Sequence, residues 1–464
     1  MIHTFTVNGY SIALDVFSGS VHVVDKVALE AIRLYERQGK EEVIAALLAA
    51  FPHEEGLTAS SLGELLDQLD MLKQQGKLYA ADDYLADALD RKHGVPAIKA
   101  LCLHVAHTCN LACSYCFAGQ GRYQGDAALM SAETGRKALD FLVAHSGTRR
   151  HLEVDFFGGE PLLNWEMVKE TVAYGRALEK LHGKVFRFTL TTNGVLLDDE
   201  VIDFCNREMQ NVVLSLDGRQ EVHDRFRVDR QGRGSYAAVV PKFQELARKR
   251  GDAGYYVRGT YTRHNLDFLE DILHMAELGF GQLSMEPVVT APGDPEAIRQ
   301  EDLPAIFSQY ERLATEMLSR KRKGRGFDFY HYNIDLAHGP CIHKRLSGCG
   351  SGTEYLAVTP QGDLYPCHQF VGDEAFRMGT LDSGLTNQAL LDDFACNTLS
   401  AHPDCAGCWA QLYCAGGCAA NACHATGSIH GVYAIGCELF KKRIECALML
   451  QAALLDTPSP EMPD

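Results

Sequence analysis

Residues 99–320 are predicted to adopt an α/β fold with parallel strands, on three observations. Short apolar runs alternate with helical stretches, the runs are rich in β-forming residues, and the residues suited to chemistry follow their ends. Leu101–Ala106, His151–Phe157, Val185–Thr191, Asn211–Leu216, Tyr255–Thr262 and Gln282–Val288 read as strands. Ser131–Ala144, Trp165–Leu181, Tyr236–Arg250 and Asn265–Leu278 carry helical periodicity between them. That rhythm predicts βαβ units whose functional loops lie at the C-terminal ends of the strands.

Residues 1–90 read as a separate domain. Thr4–Val7, Ser11–Leu14 and Ser20–Val24 are β-rich pieces broken by Asn8-Gly9 and Ser18-Gly19, the pattern of a hairpin or three-strand meander. Val27–Gln38, Lys40–Phe51 and Ser60–Gln75 follow, with Leu and Ile repeating on one helical face. Strands followed by three helices suggest a winged-helix-like module. It resembles the RiPP recognition element, which clamps the leader of a ribosomally made peptide as an added strand. A helical cap that only completes the core is the other reading.

The formal net charge of −17 argues against a nucleic-acid footprint. The one basic run, Arg320 to Arg325, is short enough for a solvated helix end, although it could attract an acidic peptide or an electron donor. The opening residues lack the basic and apolar regions of a signal peptide, and Cys446–Leu455 is too short to span a bilayer. A cytoplasmic protein without a membrane or nucleic-acid partner is expected. Ten of the sixteen cysteines fall between Cys341 and Cys437 inclusive, which in a reducing compartment points to metal. Residues 457–464 are expected to be a disordered tail.

Cys109, Cys113 and Cys116 stand at C-x3-C-x2-C spacing. Three such thiolates can hold three irons of a [4Fe–4S] cube and leave the fourth iron open to a small molecule. Zinc is the alternative, with His104 or His107 completing a tetrahedron. The run, with Tyr115 before its last cysteine, resembles the cluster loop of radical S-adenosylmethionine (SAM) enzymes. The resemblance implies a partial (β/α)6 TIM-like barrel. It also implies a cluster-bound SAM that is split to a 5′-deoxyadenosyl radical.

Phe156-Phe-Gly-Gly-Glu-Pro-Leu162 follows the second strand. Gly158 and Gly159 allow close approach of backbone carbonyls, and Glu160 can accept a hydrogen bond from an ammonium group. The segment resembles the family's contact to the methionine amine. Thr191 and Asn193 end the third strand, where hydroxyl and amide groups can meet a carboxylate or ribose. By resemblance Ser215 contacts the ribose and Arg227 the SAM carboxylate; an ion pair of Arg227 with Asp224 is the alternative. Val288 either packs the adenine or belongs to the core.

Further on stand Cys349, Cys367, Cys405, Cys408, Cys414, Cys418 and Cys437. Their order resembles the SPASM extension of radical SAM enzymes, which houses two auxiliary [4Fe–4S] clusters, and it places that domain at 321–456. The resemblance implies that Cys405, Cys408, Cys414 and Cys437 enclose one cluster and that Cys349, Cys367 and Cys418 hold the other. Cys341 either closes the second set or leaves an iron open to a substrate thiolate. Cys102, Cys205, Cys396, Cys423 and Cys446 fit no motif and read as small buried hydrophobes, with Cys423 the nearest spare ligand. His368 follows Cys367 where sulfatase-maturing relatives carry a proton-accepting aspartate. A neutral imidazole there could deprotonate a peptide thiol, or could hydrogen-bond a cluster sulfur or Tyr365.

The whole chain resembles the SCIFF maturases, which form thioethers in short cysteine-rich peptides. The match is carried by Met1-Ile-His-Thr-Phe5, Asp15 to Asp25, Arg345 to Pro360 and Ala434-Ile-Gly-Cys-Glu438. It implies three clusters, SAM, a ribosomal cysteine-rich precursor peptide and a flavodoxin- or ferredoxin-type electron donor. Another SPASM oxidation, such as formylglycine formation in a sulfatase, is the close alternative. A non-catalytic iron–sulfur electron carrier is the distant one.

Overall fold

The computed structural model describes residues 1–82, 97–123, 125, 127–251, 254–291, 293–336 and 342–455. Cys341 and the tail expected at 457–464 lie outside the described residues.

The chain opens with an antiparallel sheet of β1 (Ile2–Val7), β2 (Tyr10–Asp15) and β3 (Val21–Val24). Val7 sits opposite Tyr10, so Asn8-Gly9 is a two-residue turn with φ of 49° and 85°. Two successive positive φ values match the twist of a hairpin, and Asn-Gly tolerates them. Asp15 anchors the other end of β2. Its buried carboxylate accepts backbone N–H bonds from Phe17 and Ser18 at 3.1 Å and from Ala80 at 2.8 Å. Three donors offset much of the cost of burying it.

Helices α1 (Lys26–Tyr35), α2 (Lys40–Ala50) and α3 (Ala59–Gln74) follow. Asp25 caps α1 by accepting from the Ala28 N–H at 2.7 Å, and Thr58 caps α3 by accepting from Ser61 at 3.1 Å. Val27, Ile32, Val43, Leu47, Leu62 and Leu66 pack between the helices, joined by Ala13 from the sheet. Neighbouring Ile12 and Leu14, with Phe5 and Val7, enter the main core instead. The alternation of a strand lets one short sheet serve two cores.

The first sheet also touches the last helix, Ala434–Leu455. The His3 ring lies flat on Trp409, centroids 3.8 Å apart, and its Nε2 is 3.0 Å from Glu445 Oε1. Asn8 Nδ2 donates to the Glu311 carbonyl at 2.8 Å.

The six expected central strands are all present: β4 (Ala100–Ala106), β5 (His151–Gly158), β6 (Val185–Thr192), β7 (Asn211–Ser215), β8 (Tyr255–Tyr261) and β9 (Gln282–Pro287). They lie side by side in chain order and pair in parallel. The sheet continues past both of its ends. β10 (Asp328–Phe329) joins β9 in parallel. β11 (Tyr355–Val358) joins β4 in parallel. The antiparallel β12 (Asp363–Tyr365), β13 (Gly379–Thr380) and β14 (Gly384–Leu385) follow, making eleven strands. The partial barrel therefore leaves neither β4 nor β9 as an unpaired edge.

On β5 and β6 the residues Leu152, Val154, Phe156, Phe186, Phe188 and Leu190 are buried. Phe188 stacks on Phe156 and Phe186 at 5.7 and 5.8 Å. The opposite pleat carries Phe157, Thr191, Ser215, Arg258, Thr260 and Glu286, which all line one cavity. No helix among the described residues is long and apolar enough to cross a membrane.

Truncating Phe188 would leave a void between sheet and helices. Phe188→Ala is expected to lower the unfolding free energy by about 3–5 kcal/mol, read as a drop in the urea midpoint at unchanged slope.

Candidate active site

The loop after β4 carries Cys109, Cys113 and Cys116, and it rests on the turn after β5. Gly159 N donates to the Ala106 carbonyl at 2.8 Å and Glu160 N to the Thr108 carbonyl at 3.0 Å. Gly158 has φ of 127°, and a Cβ on it would lie 2.4 Å from the Ala106 oxygen. A Cβ on Gly159 would lie 2.2 Å from the Thr108 oxygen. Only glycine admits this backbone contact. On its other flank the loop is braced by Ala112 N donating to the Val228 carbonyl at 2.7 Å and by Arg230 Nη2 donating to the Cys109 carbonyl at 3.0 Å.

Glu160 is fully buried and ties two strand ends together. Its Oε1 accepts from Leu162 N at 3.0 Å and Thr192 Oγ1 at 2.8 Å, and its Oε2 from Asn193 N at 2.8 Å. Burial nonetheless pushes its pKa up to about 7, against the pull of those donors. Oε2 keeps a lone-pair direction for one further donor. Asn193 reaches the cysteine loop itself, donating from Nδ2 to Asn110 Oδ1 at 2.7 Å.

Arg227 pairs with Asp217, not with Asp224. Its Nε donates to Asp217 Oδ2 at 2.9 Å, while Asp224 accepts from Tyr236 N at 2.8 Å. Tyr115 also donates its hydroxyl to Asp217 Oδ2, and Oδ1 accepts from Thr260 N at 2.9 Å. Burial alone would lower the Arg227 pKa, but Asp217 and the neighbouring Tyr115 hold it well above its ordinary value. Asp217 is the part of this constellation that motif reading passed over. A carboxylate two residues past Ser215, at the end of a parallel strand, was the available signal.

His104 and His107 do not join the thiols. His104 Nδ1 and His107 Nε2 lie 3.3 Å apart, and both rings pack on Tyr123. Neither lines the cavity that holds the cysteines. Burial lowers His107 to about 4 and His104 well below its ordinary value.

A cavity of about 770 Å³ collects most of the remaining candidates. Its walls include Cys109, Cys113, Cys116, Tyr115, Gly158, Gly159, Glu160, Thr191, Asn193, Ser215, Arg227 and Val288. Cys349, Cys367, His368, Cys414, Cys418 and Cys437 line it as well. Cys349 precedes β11 and Cys367 follows β12, so strand pairing beside β4 brings these distant residues to the barrel.

Ten of the described thiols fall into three neighbourhoods. Cys109, Cys113 and Cys116 interact with one another. Cys349, Cys367 and Cys418 form a second set. Cys405, Cys408, Cys414 and Cys437 form a third, of which Cys405 and Cys408 lie outside the cavity wall. Burial, aided by the neighbouring thiols, pushes Cys109, Cys367 and Cys414 up to about 12 and Cys113 and Cys405 to about 11. Thiols so placed are protonated by themselves and ionise only when a cation replaces the proton, which suits iron–sulfur ligation. Cys423 is not part of the cavity wall.

His368 packs between Phe157 and Phe117, ring centroids 5.1 and 5.6 Å away. Burial lowers its pKa to about 4, so the imidazole is neutral and weakly basic.

Comparison with known proteins agrees with this geometry. Residues 103–276 match the radical SAM superfamily. The serine-type anaerobic sulfatase-maturating enzyme of Klebsiella aerogenes is 26% identical over 335 residues, 68% of this chain and 78% of that one. The solved structure of anSMEcpe with bound AdoMet aligns with a TM-score of 0.64 at 19% identity, over 78% of this chain and 100% of that one. Streptococcus suis SuiB bound to S-adenosylmethionine aligns with a TM-score of 0.52 at 16% identity, over 93% and 97% of the two chains. The chain thus carries a radical SAM domain, which implies SAM and a [4Fe–4S] cluster, and it is homologous to the anaerobic sulfatase-maturating enzymes.

Proposed function

We propose that this chain is a radical SAM/SPASM peptide maturase that forms thioether cross-links in a ribosomally made, cysteine-rich precursor peptide. The observation that carries the reading is the shared cavity: the Cys109/Cys113/Cys116 set and the Cys349/Cys367/Cys418 set face the same space. A peptide lying there would have one residue near each set. Loaded with three [4Fe–4S] clusters and SAM, the site would supply a 5′-deoxyadenosyl radical to take a hydrogen atom from a peptide carbon, and an acceptor for the second electron released as sulfur bonds to that carbon.

The chain's own residues hold and align. Gly158, Gly159 and Glu160 are proposed to receive the SAM amine, Glu160 through its remaining Oε2 lone pair. Arg227, kept charged and aimed by Asp217, is proposed to take the SAM carboxylate, and Tyr115 shares that anchor. Thr191, Asn193 and Ser215 supply hydroxyl and amide groups for the carboxylate and ribose, and Val288 an apolar surface for the adenine. Cys405, Cys408, Cys414 and Cys437 are proposed to hold one auxiliary cluster. Cys349, Cys367 and Cys418 are proposed to hold the other, whose fourth position falls to Cys341 or to a peptide thiolate. Neutral His368 is proposed to accept the thiol proton, a transfer that its low basicity allows only if ligation to an open cluster iron lowers the thiol's pKa as well. The 1–90 region is proposed to bind the leader beside β3, with a flavodoxin- or ferredoxin-type donor supplying electrons. A structural likeness to SuiB bound to its precursor peptide SuiA supports the peptide reading.

The relation to sulfatase-maturating enzymes supports a second reading, oxidation of a protein Cys or Ser to formylglycine. Co-expression with a small cysteine-rich peptide from a neighbouring reading frame separates the two. Thioether closure predicts loss of two hydrogens per bridge and resistance of that cysteine to alkylation. A carbonyl that reacts with hydrazides would support the second reading instead.

Cys113→Ala is expected to abolish SAM cleavage to 5′-deoxyadenosine and to lower iron from about twelve to about eight per chain after reconstitution. Asp217→Asn removes the negative charge that Arg227 and Tyr115 share. SAM affinity, followed by equilibrium dialysis, should fall about tenfold or more, the worth of a charged hydrogen bond. His368→Asn is expected to slow cross-link formation on the order of 10²-fold, measured as product under single-turnover conditions.

A further inference from the structure

One wall of the cavity carries more positive than negative charge. Strands β8 and β9 place Arg258 and Glu286 there, and Arg443 reaches it from the helix that holds Cys437. Glu286 Oε1 lies 3.6 Å from Arg258 Nη2, and Oε2 lies 3.9 Å from Arg443 Nη1. Both separations are too long for a hydrogen bond, and His331 comes nearer to the carboxylate than either guanidinium, its Nε2 3.1 Å from Oε1. His331 adds no charge: its Nδ1 accepts from Arg443 Nη1 at 3.1 Å, and burial lowers its pKa. The nearby phenols are spent on one another, Tyr261 with Tyr310 at 2.9 Å and Tyr332 on the Tyr310 carbonyl at 2.8 Å. Among the described residues Arg443 Nε has no hydrogen-bond partner, and it is buried.

Two guanidinium groups against one carboxylate leave a surplus of one positive charge on a largely buried wall. Elsewhere in the cavity the charged Arg227 is matched by Asp217. Water can solvate Arg258 while the cavity is open, because its side chain is 52% exposed. A peptide that fills the cavity removes that water, and a carboxylate on the peptide could take its place on the guanidinium groups.

We propose that Arg258 and Arg443 form a carboxylate-recognition subsite for the bound peptide, with Glu286 and His331 as positioning residues. The ligand is a peptide carboxylate, either an Asp or Glu side chain or the chain's own C-terminus. A guanidinium fork fixes a carboxylate in orientation as well as position. The contact would therefore set which peptide residue lies opposite the SAM pocket. This inference deepens the reading of the chain as a peptide maturase and rests on it.

The test uses reconstituted full-length protein at saturating SAM without reductant, so that binding is read apart from catalysis. The probes are fluorescently labelled Cys-containing hexapeptides in four forms: one Asp with an amidated C-terminus, its Asn counterpart amidated, the Asn form with a free C-terminus, and an Asp form with a free C-terminus. At least one carboxylate form should bind tenfold or more tightly than the Asn amide, and the arm that does so identifies the source. Arg258→Gln and Arg443→Met should each erase that preference, and Arg443→Lys should restore part of it. Equal affinity for all four peptides, no binding of any, or a preference that survives in Arg258→Gln would overturn the proposal. Arg258 projects into the cavity, so its variant serves even if replacing Arg443 unsettles the fold. Protein that prefers acidic peptides yet never cleaves SAM would break the catalytic reading and leave this subsite standing.

Discussion

Everything at the mouth of the barrel depends on one backbone contact, the seating of the Ala106–Thr108 segment on Gly158-Gly159-Glu160. The loop is held by two main-chain hydrogen bonds across a gap with no room for a Cβ. A contact made by backbone alone is short, directional and independent of side-chain rotamers. It places three thiols at a set height above β4 and β5, and Glu160, the next residue, inherits that position. The carboxylate then passes the constraint on to Thr192 and Asn193 at the end of β6.

The two buried acids of the site solve the same problem in different ways. Glu160 is surrounded by neutral donors, and burial raises its pKa to about 7, so a cationic ligand would find it ready to ionise. Asp217 has a guanidinium and a phenol on one oxygen and a backbone N–H on the other. It acts on the cavity through Arg227 and Tyr115, not directly. The first arrangement suits reception of an ammonium group, the second the presentation of a positive charge.

The first strand reaches the segments that carry the third thiol set. Trp409 directly follows Cys408, and Glu445 lies on the helix that holds Cys437; both touch His3 of β1. The eleven-stranded sheet joins the barrel to the chain around Cys349 and Cys367 by backbone hydrogen bonding. Hydrophobic packing spreads across these junctions, since Phe5, Leu14, Val154, Leu356 and Leu448 belong to one core. A region proposed to bind a leader is thus in direct contact with a region proposed to hold a cluster.

Local pattern was enough for the central strands, the Asn8-Gly9 turn and the cysteine motifs, because each is written within a few residues: a run of apolar side chains, a pair that tolerates positive φ, a fixed ligand spacing. Glu160, Ser215 and Arg227 were singled out by family resemblance, which local pattern alone does not supply, and the fold brings all three to one cavity. The short strands β10 to β14 escaped, since two to four residues hold no period and form only when a partner edge is present. Asp217, Arg258, Glu286 and Arg443 escaped for a related reason. An ionisable residue acquires its meaning from what is packed around it, and Arg443 stands 157 positions from the Glu286 it faces. The partner of Arg227 likewise depended on which of two carboxylates the turn after β7 carried inward. Covalent neighbours specify elements and ligand spacings; pairings between charges far apart in the chain exist only once strand order and helix packing have brought them to one wall.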